Sequence, residues 1–290
     1  ANGDPTIQGS QTIFDDTSAN VFGDAGDEGV IKCGSYVGNG SSTGPEVNLG
    51  WEPQWWLVKR TDASANWQLL DSMRGWPDGG DDAYLVPNTT SSEGNYAFGH
   101  PSSTGFVLDD SHAAQNASGG KYIYMAIRRP DGYVGKPPEL GTDVFAMDTG
   151  NAAGTITPAF DSGFPVDFGF YKTVASTVDW ISGTRLTGTK YLKPNETDAE
   201  TTSSDMIWDV NTGWQSWSGG TGVQAWMWKR HAGFDVVAYK GDHVDNRQIP
   251  HSLSKSPEMI WTKCRDTTDN WVVWHKGLNG GSSSLNYEIF

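Results

Sequence analysis

The chain has 290 residues, with 36 Gly, 14 Trp, 10 Tyr and 11 Phe, a net charge of −15 and a pI near 4.6. That charge excludes recognition of nucleic acid through phosphate neutralisation, which needs a concentrated basic surface. The sequence holds no apolar run long enough to cross a bilayer as a helix. Its glycines, aromatics and Ser/Thr/Asn content predict many short strands joined by turns.

Residues 1–28 include Asp4, Asp15, Asp16, Asp24, Asp27 and Glu28 with no Lys or Arg, and predict a linker or extended arm. Their first ten residues, ANGDPTIQGS, lack an initiator Met and the basic and apolar parts of a signal peptide.

From residue 29 a pattern recurs. KRTDASANW (59–67), KTVASTVDW (172–180) and KCRDTTDNW (263–271) share a lysine-to-tryptophan step of eight. Upstream, YVGN (36–39), DTGN (148–151) and YKGD (239–242) place Gly38, Gly150 and Gly241 in step with Lys59, Lys172 and Lys263. YLVPNTTSSE (84–93) matches YLKPNETDAE (191–200), and YIYMAIRR (122–129) matches VQAWMWKR (223–230). Self-similarity at such spacing marks tandem structural units. Three follow: 29–129, 130–231 with a Pro- and Gly-rich connector at its start, and 232–290 as the N-terminal half of a third.

Each lysine follows an apolar run, WWLV, FGFY or MIWT, and each tryptophan opens another, which is the signature of a hairpin. Lys59, Lys172 and Lys263 therefore close one strand, and Trp67, Trp180 and Trp271 anchor the returning strand as core residues. Units of about 100 residues with some eight strands predict an all-β fold of tandem two-sheet sandwiches, jelly-roll-like, the third incomplete.

No HExxH, GxxxxGK[ST], GxSxG or CxxC motif is present, so none of the common catalytic motifs marks an enzyme. A glycosidase needs only two suitably spaced carboxylates and ranks last. Glu93 and Glu200, at matched positions, read as turn or cap residues. The six histidines read as solvated loop positions, and Cys33 and Cys264 as two buried thiols. Asp78, Asp81 and Asp82 in WPDGGDDAY, with Asp109 and Asp110 in VLDDSH, could supply hard oxygen ligands to calcium, although Asp-Gly pairs also form ordinary turns. Otherwise no cofactor is expected. Trp76, Trp214 and Trp217 lie in turn-rich contexts and are the candidates for stacking on a glycan. Asn39, Asn88, Asn116 and Asn195 match N-x-[ST].

With IKCGSYVGNGSSTGPEVNLGWEP (31–53), NWVVWHKGL (270–278) and YLKPNETDAE in view, the sequence resembles the tandem-repeat virion proteins of marine tailed phages, cyanophages above all. The resemblance implies a non-enzymatic structural or adhesive segment of a longer tail-fibre or appendage polypeptide, located in the virion and outside the cell. Its partners would be other copies, other virion proteins and a host-surface glycan, with no nucleic acid and no membrane insertion. A lectin-like glycan-binding module is the alternative. The resemblance supplies no binding residues.

Overall fold

The computed structural model describes residues 30–129, 140–151, 158–216, 222–231, 233–241, 247–253, 255–282, 284 and 287–289. Its contacts group the chain into two units, one running to Pro137 and taking in Val236–Ser252, the other Pro138–Asp235 with Leu253–Phe290. The fold is all-β, and each unit contains one β-sandwich.

In the first sandwich, β1 (Ile31–Val37), β3 (Pro53–Arg60), β4 (Gln68–Asp71), β5 (Asp82–Leu85), β6 (Gly94–Tyr96) and β9 (Lys121–Arg128) form one antiparallel sheet in the order β1-β9-β3-β4-β5-β6. A smaller sheet, β2 (Glu46–Asn48), β8 (Gly105–Leu108) and β7 (Gly99–Ser102), forms the second layer. The second unit repeats the plan. Its β10 (Phe145–Asp148), β12 (Phe168–Thr173), β13 (Ile181–Thr184), β14 (Lys190–Leu192), β15 (Thr201–Thr202) and β17 (Val223–Trp228) run β10-β17-β12-β13-β14-β15, over β11 (Phe160–Asp161) and β16 (Gly213–Trp214). In both copies the final strand lies between the first and third.

The third copy contributes β18 (Met259–Thr262) and β19 (Val272–His275), a hairpin of the same register. Val58 pairs with Gln68, Tyr171 with Ile181 and Thr262 with Val272, each ten residues apart. A bridge between Val273 and Ile289 falls where Leu69 meets Leu85 and Ser182 meets Leu192, so this copy reaches its fifth-strand position. Its opening stretch, 233–241, contains no strand. In the other copies the opening strand pairs only with the closing one, and a strand without a ladder leaves its backbone polar groups to solvent.

The lysines and tryptophans act locally. Lys59 Nζ donates to the carbonyls of Arg60 (2.9 Å) and Ala65 (2.7 Å), Lys172 to that of Val178, and Lys263 to those of Cys264 (2.6 Å) and Thr267 (3.3 Å). Each ammonium stitches its own turn. Asn88 Oδ1 accepts the backbone N–H of Trp67 (3.0 Å) while its Nδ2 donates to Asn66; Asn195 does the same for Trp180 (2.8 Å) and Asp179. The matched Y-L-x-P-N segments are thus hairpin clamps.

Against expectation, Trp67, Trp180 and Trp271 are half-buried and outside the two cores. Alternation explains it: Gln68 and Leu70 are buried, so Trp67 and Leu69 share the outward face. The cores hold other indoles. Trp56 stacks on Trp76 at 5.7 Å in the first, and Trp208 on Trp214 at 4.7 Å in the second. The two thiols are not buried either, Cys33 being half-buried on β1 and Cys264 exposed.

Asn116 organises the glycine-rich opening of the first copy. It is buried, its Nδ2 lies 2.9–3.0 Å from Asn39 Oδ1 and the carbonyls of Ser41, Gly44 and Asp110, and its Oδ1 accepts from Asn39 N. Asn116→Ala leaves the buried Gly44 carbonyl and the half-buried carbonyls of Ser41 and Asp110 without this donor and is expected to cost about 1–3 kcal/mol, read as a lower midpoint in denaturant unfolding.

Candidate functional site

Two of the three tryptophans chosen from their turn-rich contexts do not reach solvent. Trp76 is 2% exposed and Trp214 is fully buried, so neither can stack on a glycan; Trp217 lies outside the described residues. Trp76 is packed against Trp56, and for Trp214 the reason is a device that both copies share. Gly105 precedes Phe106 in β8, and Gly213 precedes Trp214 in β16. A Cβ at either glycine would meet a backbone oxygen, that of Val47 at 1.9 Å or Phe160 at 2.0 Å. Phe106 pairs with Val47 and Trp214 with Phe160, so STGF (103–106) and NTGW (211–214) bring one core aromatic each into the inner sheet. Aligning these two tetrapeptides would have revealed Trp214 as a core residue.

The acidic candidates do not converge. Asp82 is buried and its Oδ2 accepts from the backbone N–H groups of Phe98 (2.7 Å) and Gly99 (3.0 Å), whereas Asp81 is exposed. Asp78 lies 3.7 Å from His100, whose Nδ1 is 2.6 Å from Asp109. Among the described residues no three His, Cys, Asp or Glu side chains are placed to hold a metal ion. Asp82 ties β5 to the start of β7 instead. His100 stands on β7, not in a solvated loop, and is tied to the segment after β8. Glu93 and Glu200 bind Arg74 (3.2 Å) and Arg265 (2.7 Å) respectively.

A different surface emerges on the second unit. Alternation along β12 and β17 sends Gly169, Tyr171, Val223, Ala225 and Met227 inward and Phe168, Phe170, Trp226 and Trp228 outward. On this outer face Trp226 lies 5.2 Å from Phe170 and 5.5 Å from Trp180, and Phe170 lies 5.3 Å from Trp228. Phe145 and Phe234 extend the row, at 4.9 and 5.8 Å from Trp228. These rings are half-buried, and Met147 on neighbouring β10 is 61% exposed. The first sheet carries aliphatics at most of the corresponding places, Leu57, Met125 and Ile127 with Trp55.

At one end of the aromatic row an open hollow of about 570 Å³ is lined by Leu140, Val144, Phe145, Trp228, His231 and Phe234. Burial, aided by the Lys229 charge, lowers the His231 pKa and favours the neutral imidazole. The arrangement offers flat π surfaces and apolar edges. Such surfaces suit stacking and apolar contact rather than proton transfer.

The family comparison fits the repeat. A profile described as a domain of unknown function, DUF7483, matches residues 7–129 and again 144–289, the second match extending through the third hairpin. No curated protein and no solved structure matches the chain.

Burial pushes the Asp82 pKa up from 3.8 to about 8, overriding its two N–H donors, and Oδ1 has no polar partner among the described residues. The folded state therefore retains a proton that the unfolded state releases. The associated stability is complete below about pH 4 and is lost as pH rises towards 8. Asp82→Asn should remove this component, so that its stability relative to the parent rises across that interval in unfolding titrations; a constant difference would contradict it. With both copies placed along the sequence, the chain belongs to the DUF7483 family.

Proposed function

We propose that the chain is a structural and adhesive segment of a phage virion appendage of tail-fibre type. It works outside the cell among other copies or other virion proteins, and has no catalytic role. The resemblance of its repeat blocks to marine phage virion proteins supports the phage setting. Two copies of one sandwich support a role in reach and presentation, since stacked repeats add stability unit by unit.

The observation that carries the adhesive part is the outer aromatic face built from Phe170, Trp180, Trp226 and Trp228. Aromatic rings on an outer sheet face contribute nothing to the sandwich interior and are the residues most often central to binding surfaces. Glycan recognition is the second reading, favoured by the same rings because a sugar's C–H face packs on indole. Glu93 and Glu200 are engaged in ion pairs and Asp82 in a backbone cap, and we assign them structural roles.

A Trp180→Ala, Trp226→Ala double variant should lose at least about tenfold of its binding to cyanobacterial host cells, since each anchoring aromatic contributes on the order of 1–2 kcal/mol. Unchanged binding would sink the adhesive reading. Binding of the parent chain on a glycan array, lost in the variant, would select the glycan reading. Antibodies raised against the chain should decorate intact virions at the appendages, and failure to label any virion would remove the structural reading.

A further inference from the structure

Among the described residues the third hairpin has one unpaired edge that is covered in its counterparts. In the complete copies, the strand before the lysine is covered on one side by its hairpin partner and on the other by the closing strand, β9 on β3 and β17 on β12. Among the described residues β18 pairs with β19 alone. Its side chains are exposed accordingly, Met259 50%, Ile260 43% and Trp261 50%. Ile260 occupies the place of the fully buried Trp56 and of Gly169, both on the inner face. An apolar strand with a free row of backbone donors and acceptors is a template for another strand.

The internal repeat specifies what fits there. β9 and β17 both run antiparallel, place Tyr124 and Ala126 or Ala225 and Met227 inward, and end in two basic residues, Arg128-Arg129 or Lys229-Arg230. In the second copy that basic end meets Asp167, immediately before β12: Arg230 N donates to Asp167 Oδ2 at 2.7 Å and its guanidinium lies 3.8 Å away. The third copy has Glu258 at the same place before β18, 69% exposed and paired with Lys276. The acid that would receive a basic strand end is present and accessible.

We propose that the β18 edge is an acceptor site for one antiparallel strand of the closing type, with alternating apolar residues and a basic C-terminal end, supplied by another polypeptide segment. The register follows from the second copy: residues corresponding to Ala225, Trp226, Met227 and Trp228 lie opposite Thr262, Trp261, Ile260 and Met259. A second copy's own β9 or β17 does not meet the requirement, because both edges of each are already paired.

The test uses the full chain and a synthetic peptide, VQAWMWKR, identical to residues 223–230. The peptide should bind saturably and slow amide exchange across Met259–Thr262 by about tenfold or more, as closing a ladder does, while a scrambled peptide should not. Two further peptides carry backbone N-methyl groups at alternate residues, in the two possible frames, with every side chain kept. Only the frame whose N–H groups face β18 should abolish binding. Glu258→Lys should weaken binding at least several-fold at low salt.

Protection on the aromatic face of the second sheet instead of β18 would overturn the proposal. So would binding of the scrambled peptide, or equal effects of the two methylated frames. Concentration-dependent protection of Met259–Thr262 without peptide would replace it with edge-to-edge pairing of two copies.

Discussion

The architecture depends on the closing strand. Each six-stranded sheet is held together by β9 or β17, which lies between the first strand and the third and forms ladders with both. Because that strand comes last in its repeat, the centre of the sheet cannot form until the whole unit is available. This is a high-contact-order arrangement in which loop-closure entropy precedes the gain from long-range pairing. The third copy shows the converse. Without a closing strand among its described residues it has no long-range ladder of its own there and shows a hairpin, the lysine stitch within its turn and the bridge to Ile289.

That hairpin is supported at its turn end by the second copy. Arg265 O accepts from Glu200 N and its guanidinium binds the Glu200 carboxylate, Asp269 N donates to Thr197 O, and Trp271 Nε1 donates to Lys193 O. The segment that clamps one hairpin through Asn195 therefore also steadies the next. The same peptide serves two neighbours, as expected of arrays whose stability includes nearest-neighbour terms.

Features set by local physics were legible in the sequence. The lysine-to-tryptophan step spans one hairpin, and period-two alternation with turn residues identifies such a unit without knowledge of its surroundings. Tandem copies were legible for the same reason, as were β9 and β17 as matched strands. Exposure was not. FGFYK has aromatics at both alternating sets of positions, so the pattern cannot tell Phe168 and Phe170, outside, from Tyr171, inside. Trp76 and Trp214 lie in turn-like sequence, yet long-range packing against Trp56 and Phe160 buries them. Asp82 resembles its two exposed-looking neighbours in WPDGGDDAY, and only the approach of Phe98 and Gly99 turns it into an internal cap.

The asparagine clamps bear on how the protein can be made. Asn88, Asn116 and Asn195 all spend their side-chain nitrogen on internal hydrogen bonds, and all three stand in acceptor sequons for N-linked sugar. Oligosaccharyl transfer acts on that nitrogen before folding is complete. Secretory production in a eukaryotic cell would thus convert a buried donor at Asn116 into a branched, hydrated substituent at the point where the glycine-rich opening must close. A bacterial cytoplasm leaves the amide intact, and with it the donor that holds the carbonyls of Ser41, Gly44 and Asp110.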